Sequence, residues 1–259
     1  MKGLIDGFTI FGLNVKFYGI IMALAMLVGV VIACKNAKHR NLTSDNIYTL
    51  ALIILPLALI GARLFYVLGA SHDYTFWEIF KVWEGGMSIY GGIIGGAIGI
   101  VVYCLVFKKN FLDVADVAVV SLILGQAIGR WGNFFNQEVY GAVIENPCWQ
   151  WFPFAVLLDN GEWHYALFFY ESIINLAMFF GLWFLLKRTK QRGYVASAYL
   201  VGYGVVRFIL EPLRVQQYNL MLWGMKLSSL TSAIAIIAGI VLFVLVYTIS
   251  KRRKKVDKG

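Results

Sequence analysis

Seven uninterrupted apolar runs, each long enough to cross a bilayer, decide what this chain can fold into. They lie at about 17–34, 47–69, 89–107, 114–133, 165–186, 194–212 and 227–250. A span takes about 20 mainly apolar residues as helix, because backbone amides in hydrocarbon have no water partner and must bond within the segment. Composition agrees: 60% of the 259 residues are hydrophobic and 14% charged, against about 45–50% and about 25% in soluble domains. A soluble enzyme, a disordered chain and a collagen-like fibre are excluded. Barrel strands alternate polar and apolar residues, which these runs do not. The expectation is an all-α polytopic membrane protein, a single integral membrane domain over 1–259. Three cysteines, Cys34, Cys104 and Cys148, are too few and odd in number for a disulfide framework.

Cations set the orientation, since cytoplasmic connectors collect Lys and Arg. The connectors with Lys35, Lys38, Arg40, Lys108, Lys109, Lys187, Arg188, Lys190 and Arg192, together with six cations in the tail, hold fifteen of the 23. The opposite connectors hold five: Lys2, Lys16, Lys81, Arg214 and Lys226. This split places the N-terminus outside and the C-terminus in the cytoplasm. It also accounts for the net charge of +9, so no nucleic-acid partner is expected. The basic cluster follows the first run, whereas in a signal peptide it would precede it; the run reads as a retained helix. Residues 70–88 and 134–164 carry many aromatics, among them Tyr74, Trp77, Trp149, Trp151, Phe152 and Trp163. They read as an interfacial belt and as a small outer cap on the membrane.

Charge inside a span costs about 2.5–3.5 kcal/mol per residue on insertion scales. This chain keeps Arg63, Asp116, Arg130, Glu138, Glu171, Arg207 and Glu211 in or at the ends of spans. Arg207 and Glu211 are four apart on one helix face and can pair. The stretch GQAIGRWGNFFNQEVYG (125–141) puts Arg130 and Asn133 on one face. Gly129 and Gly132 leave space beside the guanidinium, and Asn136 and Glu138 follow where the helix should end. Tyr203 and Glu211 flank Arg207 on one face. Arginine is always charged and grips phosphate with a planar fork, so the two arginines suit a phospholipid headgroup. In GGMSIYGGIIGGAIGI (85–100) the glycines read mainly as close helix packing, and Tyr90 with Gly91 and Gly92 as groups that could face a cavity. His39, His72 and His164 show no metal-ligand spacing, and no P-loop or serine elbow occurs, so neither metal nor cofactor is expected. Intramembrane charge and glycine-rich helices alone would also suit an anion path or an assembly scaffold.

The segment GRWGNFFNQEVYG (129–141) closely resembles the signature of bacterial prolipoprotein diacylglyceryl transferases. Phe17-Tyr18-Gly19, GARLFYV (61–67), WEGGMSIYGGIIGG (83–96), Tyr170-Glu171-Ser172 and RFILEPLR (207–214) resemble further family motifs. The resemblance implies an enzyme of the bacterial cytoplasmic membrane. Such enzymes move the diacylglyceryl group of phosphatidylglycerol to the lipobox cysteine of a preprolipoprotein, and glycerol 1-phosphate leaves. It implies that Arg130 and Arg207 bind phosphate and are catalytically required. Asn133, Glu138 and Gly141 are signature positions, and Tyr18, Tyr203 and Glu211 line the same cavity. Arg63 sits in the second-span motif. Many members carry a histidine, proposed as the base, where this chain has Tyr90. An unperturbed tyrosine, with a pKa of about 10, is a weak base near neutrality. Glu138, Glu211 or the lipid phosphate could take the proton instead. The family's His-Pro before the fifth span is also absent here.

Overall fold

The computed structural model describes residues 7–10, 13–69, 74–79, 86–215, 221–222 and 225–256, with backbone alone for 10, 13–15, 76, 78, 221–222, 225–226 and 252–256. Trp83, Glu84 and Gly85 of the third-span motif and most of 70–88 lie outside them. The helices are α1 (Phe17–Ala37), α2 (Ser44–Gly69), the short α3 (Phe76–Ile79), α4 (Ile89–Val106), α5 (Phe111–Phe135), α6 (Leu167–Arg188), α7 (Tyr194–Leu210) and α8 (Leu227–Val256). Seven of them, all but α3, are long and apolar enough to span a membrane. Three antiparallel hairpins, β1–β2 (Gly7–Ile10, Leu13–Lys16), β3–β4 (Ala155–Leu157, Trp163–Tyr165) and β5–β6 (Met221–Leu222, Met225–Lys226), join them.

Helix starts follow local chemistry. At α2, Thr43 and Asn46 form a reciprocal box: the Asn46 amide donates to Thr43 Oγ1 at 3.3 Å, and the Thr43 amide donates to Asn46 Oδ1 at 3.2 Å, so two orphan donors are satisfied. At α5, Asn110 Oδ1 accepts the amides of Leu112 at 3.0 Å and Asp113 at 3.3 Å. That cap starts the helix three residues before the apolar run from 114. Strand pairing of Trp163 and Tyr165 with Leu157 and Ala155 moves the start of α6 to Leu167, two residues past the expected 165.

The chain divides into two compact units, Ala33–Val117 and the combination of Met1–Ile32 with Ala118–Gly259. In the first, α2 and α4 touch backbone to backbone. A Cβ at Gly91 would overlap the Gly61 carbonyl oxygen, one at Gly95 the Leu57 carbonyl oxygen, and one at Gly99 would lie 3.0 Å from Ile54 Cα. Such approach is how spans associate where lipid competes equally for apolar surface. In the same unit Arg40, on the turn after α1, pairs with Asp116 at 2.8 Å, both sealed from solvent.

Gly91→Ala should therefore force α2 and α4 apart, at a cost of about 1–3 kcal/mol or more. Gly92→Ala, whose Cβ would sit an ordinary 3.7 Å from Ala62 Cβ, should be close to neutral. Thermal midpoints in detergent check the pair, and equal midpoints would contradict this packing.

In the second unit α7 packs on α8, with Gly204 pressed against Ser232 and Ile236. One core joins Val120, Ile123, Phe179, Leu182, Leu186, Val195 and Tyr199 across α5, α6 and α7. A smaller one, of Val139, Val156, Leu158, Ala166 and Phe168, seats the β3–β4 hairpin on the start of α6.

Candidate active site

Four helices of the second unit deliver one charged network. Arg130 comes from α5 and Glu171 from α6. Arg207 comes from α7, Glu211 from the 3-10 turn that follows it, and Ser228 from the first turn of α8. The Arg130 guanidinium pairs with Glu171 Oε2, and Glu171 Oε1 lies 3.5 Å from Arg207 Nη1. Arg207 Nη2 lies 2.7 Å from Glu211 Oε2, and Ser228 Oγ donates to Glu211 Oε1 at 2.7 Å. The i,i+4 pairing expected of Arg207 and Glu211 is thus one edge of a larger chain, Arg130–Glu171–Arg207–Glu211.

Exposure is unequal along that chain. Each carboxylate side chain is 3% exposed and each arginine side chain 16%. The acids are sealed among the helices, and the arginines are the more accessible members of the network. A buried ion pair is a weak source of stability, because desolvation offsets most of the attraction. Its usefulness here is orientation: Glu171 and Glu211 hold two planar forks in fixed positions.

Beyond Arg130, α5 ends in a turn that displays Glu138. Gln137 and Val139, on either side of it, have φ of 52° and 60°, a region rarely occupied by non-glycine residues and least of all by a β-branched one. Such residues cost about 1–3 kcal/mol each and persist where their surroundings over-determine them. Here Val139 is fixed in the small core and Gln137 Oε1 accepts the Asp159 amide at 3.0 Å. The Glu138 amide donates to the Asn133 carbonyl at 2.8 Å. Its exposed carboxylate accepts Asn133 Nδ2 at 3.3 Å and Asn136 Nδ2 at 3.1 Å. Tyr18 lies where the charges of Glu138 and Arg130 both reach it.

The space expected beside Arg130 is occupied. A Cβ at Gly132 would come within 2.8 Å of the Tyr18 ring, and one at Gly129 within 3.3 Å of Met22 Sδ. These glycines admit α1 against α5, and a ligand does not take that space. Tyr203 stacks on Tyr199 with centroids 5.5 Å apart, and Tyr199 exchanges hydrogen bonds with Gln126. Gly141 works through its backbone. Its amide donates to Tyr165 O at 2.9 Å, its carbonyl accepts His164 Nδ1 at 2.8 Å, and it pairs with Arg214.

Arg63, Tyr90, Gly91 and Gly92 belong to the first unit. Arg63 is 5% exposed and donates to the carbonyls of Ile79 at 3.0 Å and Gly86 at 3.1 Å. Its guanidinium also faces the Tyr74 ring at 5.6 Å. Tyr90 is half-buried in the first turn of α4.

Two residues had been given no role in the site from the sequence. Glu171 links both arginines, and its signal was a carboxylate in a span that carries no cation of its own until its C-terminal end. Arg214, read as a connector cation, is half-buried within reach of Arg130, Arg207, Glu171 and Glu211. Burial lowers its pKa, the two arginine charges lower it further, and the two glutamates oppose them.

Seven helices able to span a membrane, with two arginines braced by buried glutamates in one unit, define a polytopic membrane protein. The chain matches the family described as "Prolipoprotein diacylglyceryl transferase" over residues 7–245. It is 37% identical over 254 residues to "Phosphatidylglycerol--prolipoprotein diacylglyceryl transferase 1" of Clostridium perfringens, covering 96% of each chain. It is 37% identical over 253 residues to the corresponding transferase of Clostridium botulinum strain Loch Maree, covering 96% of this chain and 98% of that one. The transferase of Finegoldia magna is 37% identical over 238 residues, with 91% and 92% covered. The chain belongs to the prolipoprotein diacylglyceryl transferase family, and it is a multi-pass protein of the bacterial cytoplasmic membrane.

Proposed function

We propose that the chain transfers the diacylglyceryl group of phosphatidylglycerol to the lipobox cysteine thiol of a preprolipoprotein, without a cofactor or a nucleic-acid partner. The observation that carries the site assignment is the pairing of two partly exposed arginines with two buried glutamates in the Arg130–Glu171–Arg207–Glu211 network. Sulfur attacks the glycerol carbon that bears the phosphate ester, the C–O bond breaks and a thioether forms. The leaving glycerol 1-phosphate keeps the electron pair, so its phosphate gains negative charge as the bond breaks. Donors fixed beforehand on that group stabilise the transition state more than the bound lipid. Arg130 and Arg207 take that role, with Glu171 and Glu211 orienting them.

The thiol proton goes to Glu138. Glu171 and Glu211 are each engaged by arginine, whereas Glu138 is exposed and, among the described residues, held by the side-chain amides of Asn133 and Asn136. The asparagines leave lone pairs on a carboxylate that has four. Tyr18, Asn136, Tyr203 and Gly141 shape the lipid site, and Tyr90, Arg63, Gly91 and Gly92 serve the first unit. The positive-inside split supports an N-terminus outside the cell, a cytoplasmic C-terminus and an outer cap from the loop between α5 and α6.

The test is purified protein in phosphatidylglycerol micelles with a lipobox peptide, reading glycerol phosphate release and peptide mass. Release with a diacylglyceryl mass gain is expected. It should be lost with a peptide whose cysteine is serine, and fall roughly a hundredfold or more in Arg130→Gln. Absence of release from folded wild-type protein would overturn the reading.

A further inference from the structure

The positive φ values of Gln137 and Val139 persist where the chain after them is tied down. Four hydrogen bonds do so. Val139 O accepts the Phe168 amide at 3.1 Å, Tyr140 O accepts the Val215 amide at 3.1 Å, and the Gly141 amide donates to Tyr165 O at 2.9 Å. The last joins the Gly141 carbonyl to His164 Nδ1 at 2.8 Å. The first three are backbone pairings that no side chain decides. The last depends on one imidazole.

That imidazole is itself held. His164 is 5% exposed, and a carbonyl beside Nδ1 requires that nitrogen to carry the hydrogen and donate. At the other side of the ring, Nε2 lies 3.4 Å from Glu162 Oε2, which also accepts Asn160 Nδ2 at 2.7 Å. The ring meets that of Tyr140 edge to face, with centroids 4.7 Å apart, and the His164 backbone pairs with Val156 of β3. Tyr140 and Val156 line a small recess together with Asn133 and Glu138. His164 thus backs two walls of the recess that holds the carboxylate, and it bonds the carbonyl three residues after it.

We infer that His164 is a positioning residue for the proposed reaction: through Gly141 O it fixes the turn from which Glu138 takes the thiol proton. This rests on the proposed role of Glu138. A group that only supports the base matters when a proton must be removed and not otherwise. The test compares wild type, His164→Leu and His164→Asn in the transfer assay, with cysteine and selenocysteine lipobox peptides, beside hydrogen exchange at the amides of residues 138–141. Leucine fills the space without a donor. Asparagine carries its amide nitrogen on Cγ, as histidine carries Nδ1, and can still donate to Gly141 O. His164→Leu should lose roughly tenfold to a hundredfold in kcat through a misplaced base, with KM for phosphatidylglycerol little changed. The selenocysteine peptide should restore most of that loss, and His164→Asn should keep the wild-type rate. Added to Glu138→Gln, His164→Leu should slow transfer no further, since the base it supports is already gone. A wild-type rate in His164→Leu would overturn the proposal. So would a loss that selenium does not relieve, or one that adds fully to Glu138→Gln. If His164→Leu does not fold, His164→Gln decides, because its amide nitrogen reaches the place of Nε2 and not of Nδ1: a loss relieved by selenium supports the proposal, and a wild-type rate overturns it. If wild type itself transfers nothing, the reaction reading falls. Faster exchange at 138–141 in His164→Leu than in wild type and His164→Asn would then still assign the support of that turn to His164, and equal exchange in all three would overturn it.

Discussion

Glu171→Gln should leave a protein that is less stable, binds phosphatidylglycerol at least as tightly as wild type, and transfers poorly. Glu171 is 3% exposed and contacts two arginines, so a neutral residue leaves one positive charge uncompensated among the helices. Removing one partner of a buried ion pair costs about 3–5 kcal/mol. The network changes from neutral to +1, which favours an anionic lipid in the ground state. Catalysis needs more than attraction: both forks must face the bond that breaks, and misplacement by about 1 Å can cost about a hundredfold. The expected pattern is a fall of about a hundredfold in kcat with an unchanged or lower KM. The double variant Glu171→Gln/Arg207→Gln removes one charge of each sign. It should regain much of the lost thermal midpoint and stay inactive, since a phosphate-facing fork is gone. A Glu171→Gln protein with the wild-type midpoint and rate would show that Glu171 does not brace the arginines.

Why the sequence did not show Glu171 joining the two arginines is a matter of dimension. Helical period exposes neighbours three and four residues apart, which makes Arg207 and Glu211 an obvious pair. Arg130, Glu171 and Arg207 lie on three helices, and nothing in the spacing says which faces of α5, α6 and α7 meet. Arg40 and Asp116, 76 residues apart, were unreadable as a pair for the same reason. The spans themselves were legible, because twenty apolar residues in lipid have few alternatives to helix. Errors at their ends trace to Asn110, whose cap lengthens α5, and to the β3–β4 pairing that delays α6. Glycine was ambiguous in kind. A missing side chain marks a close approach, but not whether ligand, ring or backbone makes it. At Gly132 it is the Tyr18 ring, and at Gly91 it is the backbone of α2.

Glu138→Gln should separate proton removal from lipid binding. The substitution keeps the size of the side chain, and its amide oxygen can still accept from Asn133 or Asn136. The arginine network is untouched, so affinity for phosphatidylglycerol should stay within about a few-fold of wild type. What is lost is a group able to take the thiol proton as sulfur attacks. General-base catalysis of this kind contributes about a hundred- to ten-thousandfold, and kcat should fall within that range. A selenocysteine lipobox peptide makes the assignment specific, because a selenol is already ionised at neutral pH and needs no base. It should restore most of the lost rate in Glu138→Gln and little of it in Arg130→Gln, where the leaving phosphate is unsupported. Tyr90→Phe should behave as wild type with both peptides. No gain from selenium in Glu138→Gln, together with a large gain in Tyr90→Phe, would move the base from the turn after α5 to the start of α4.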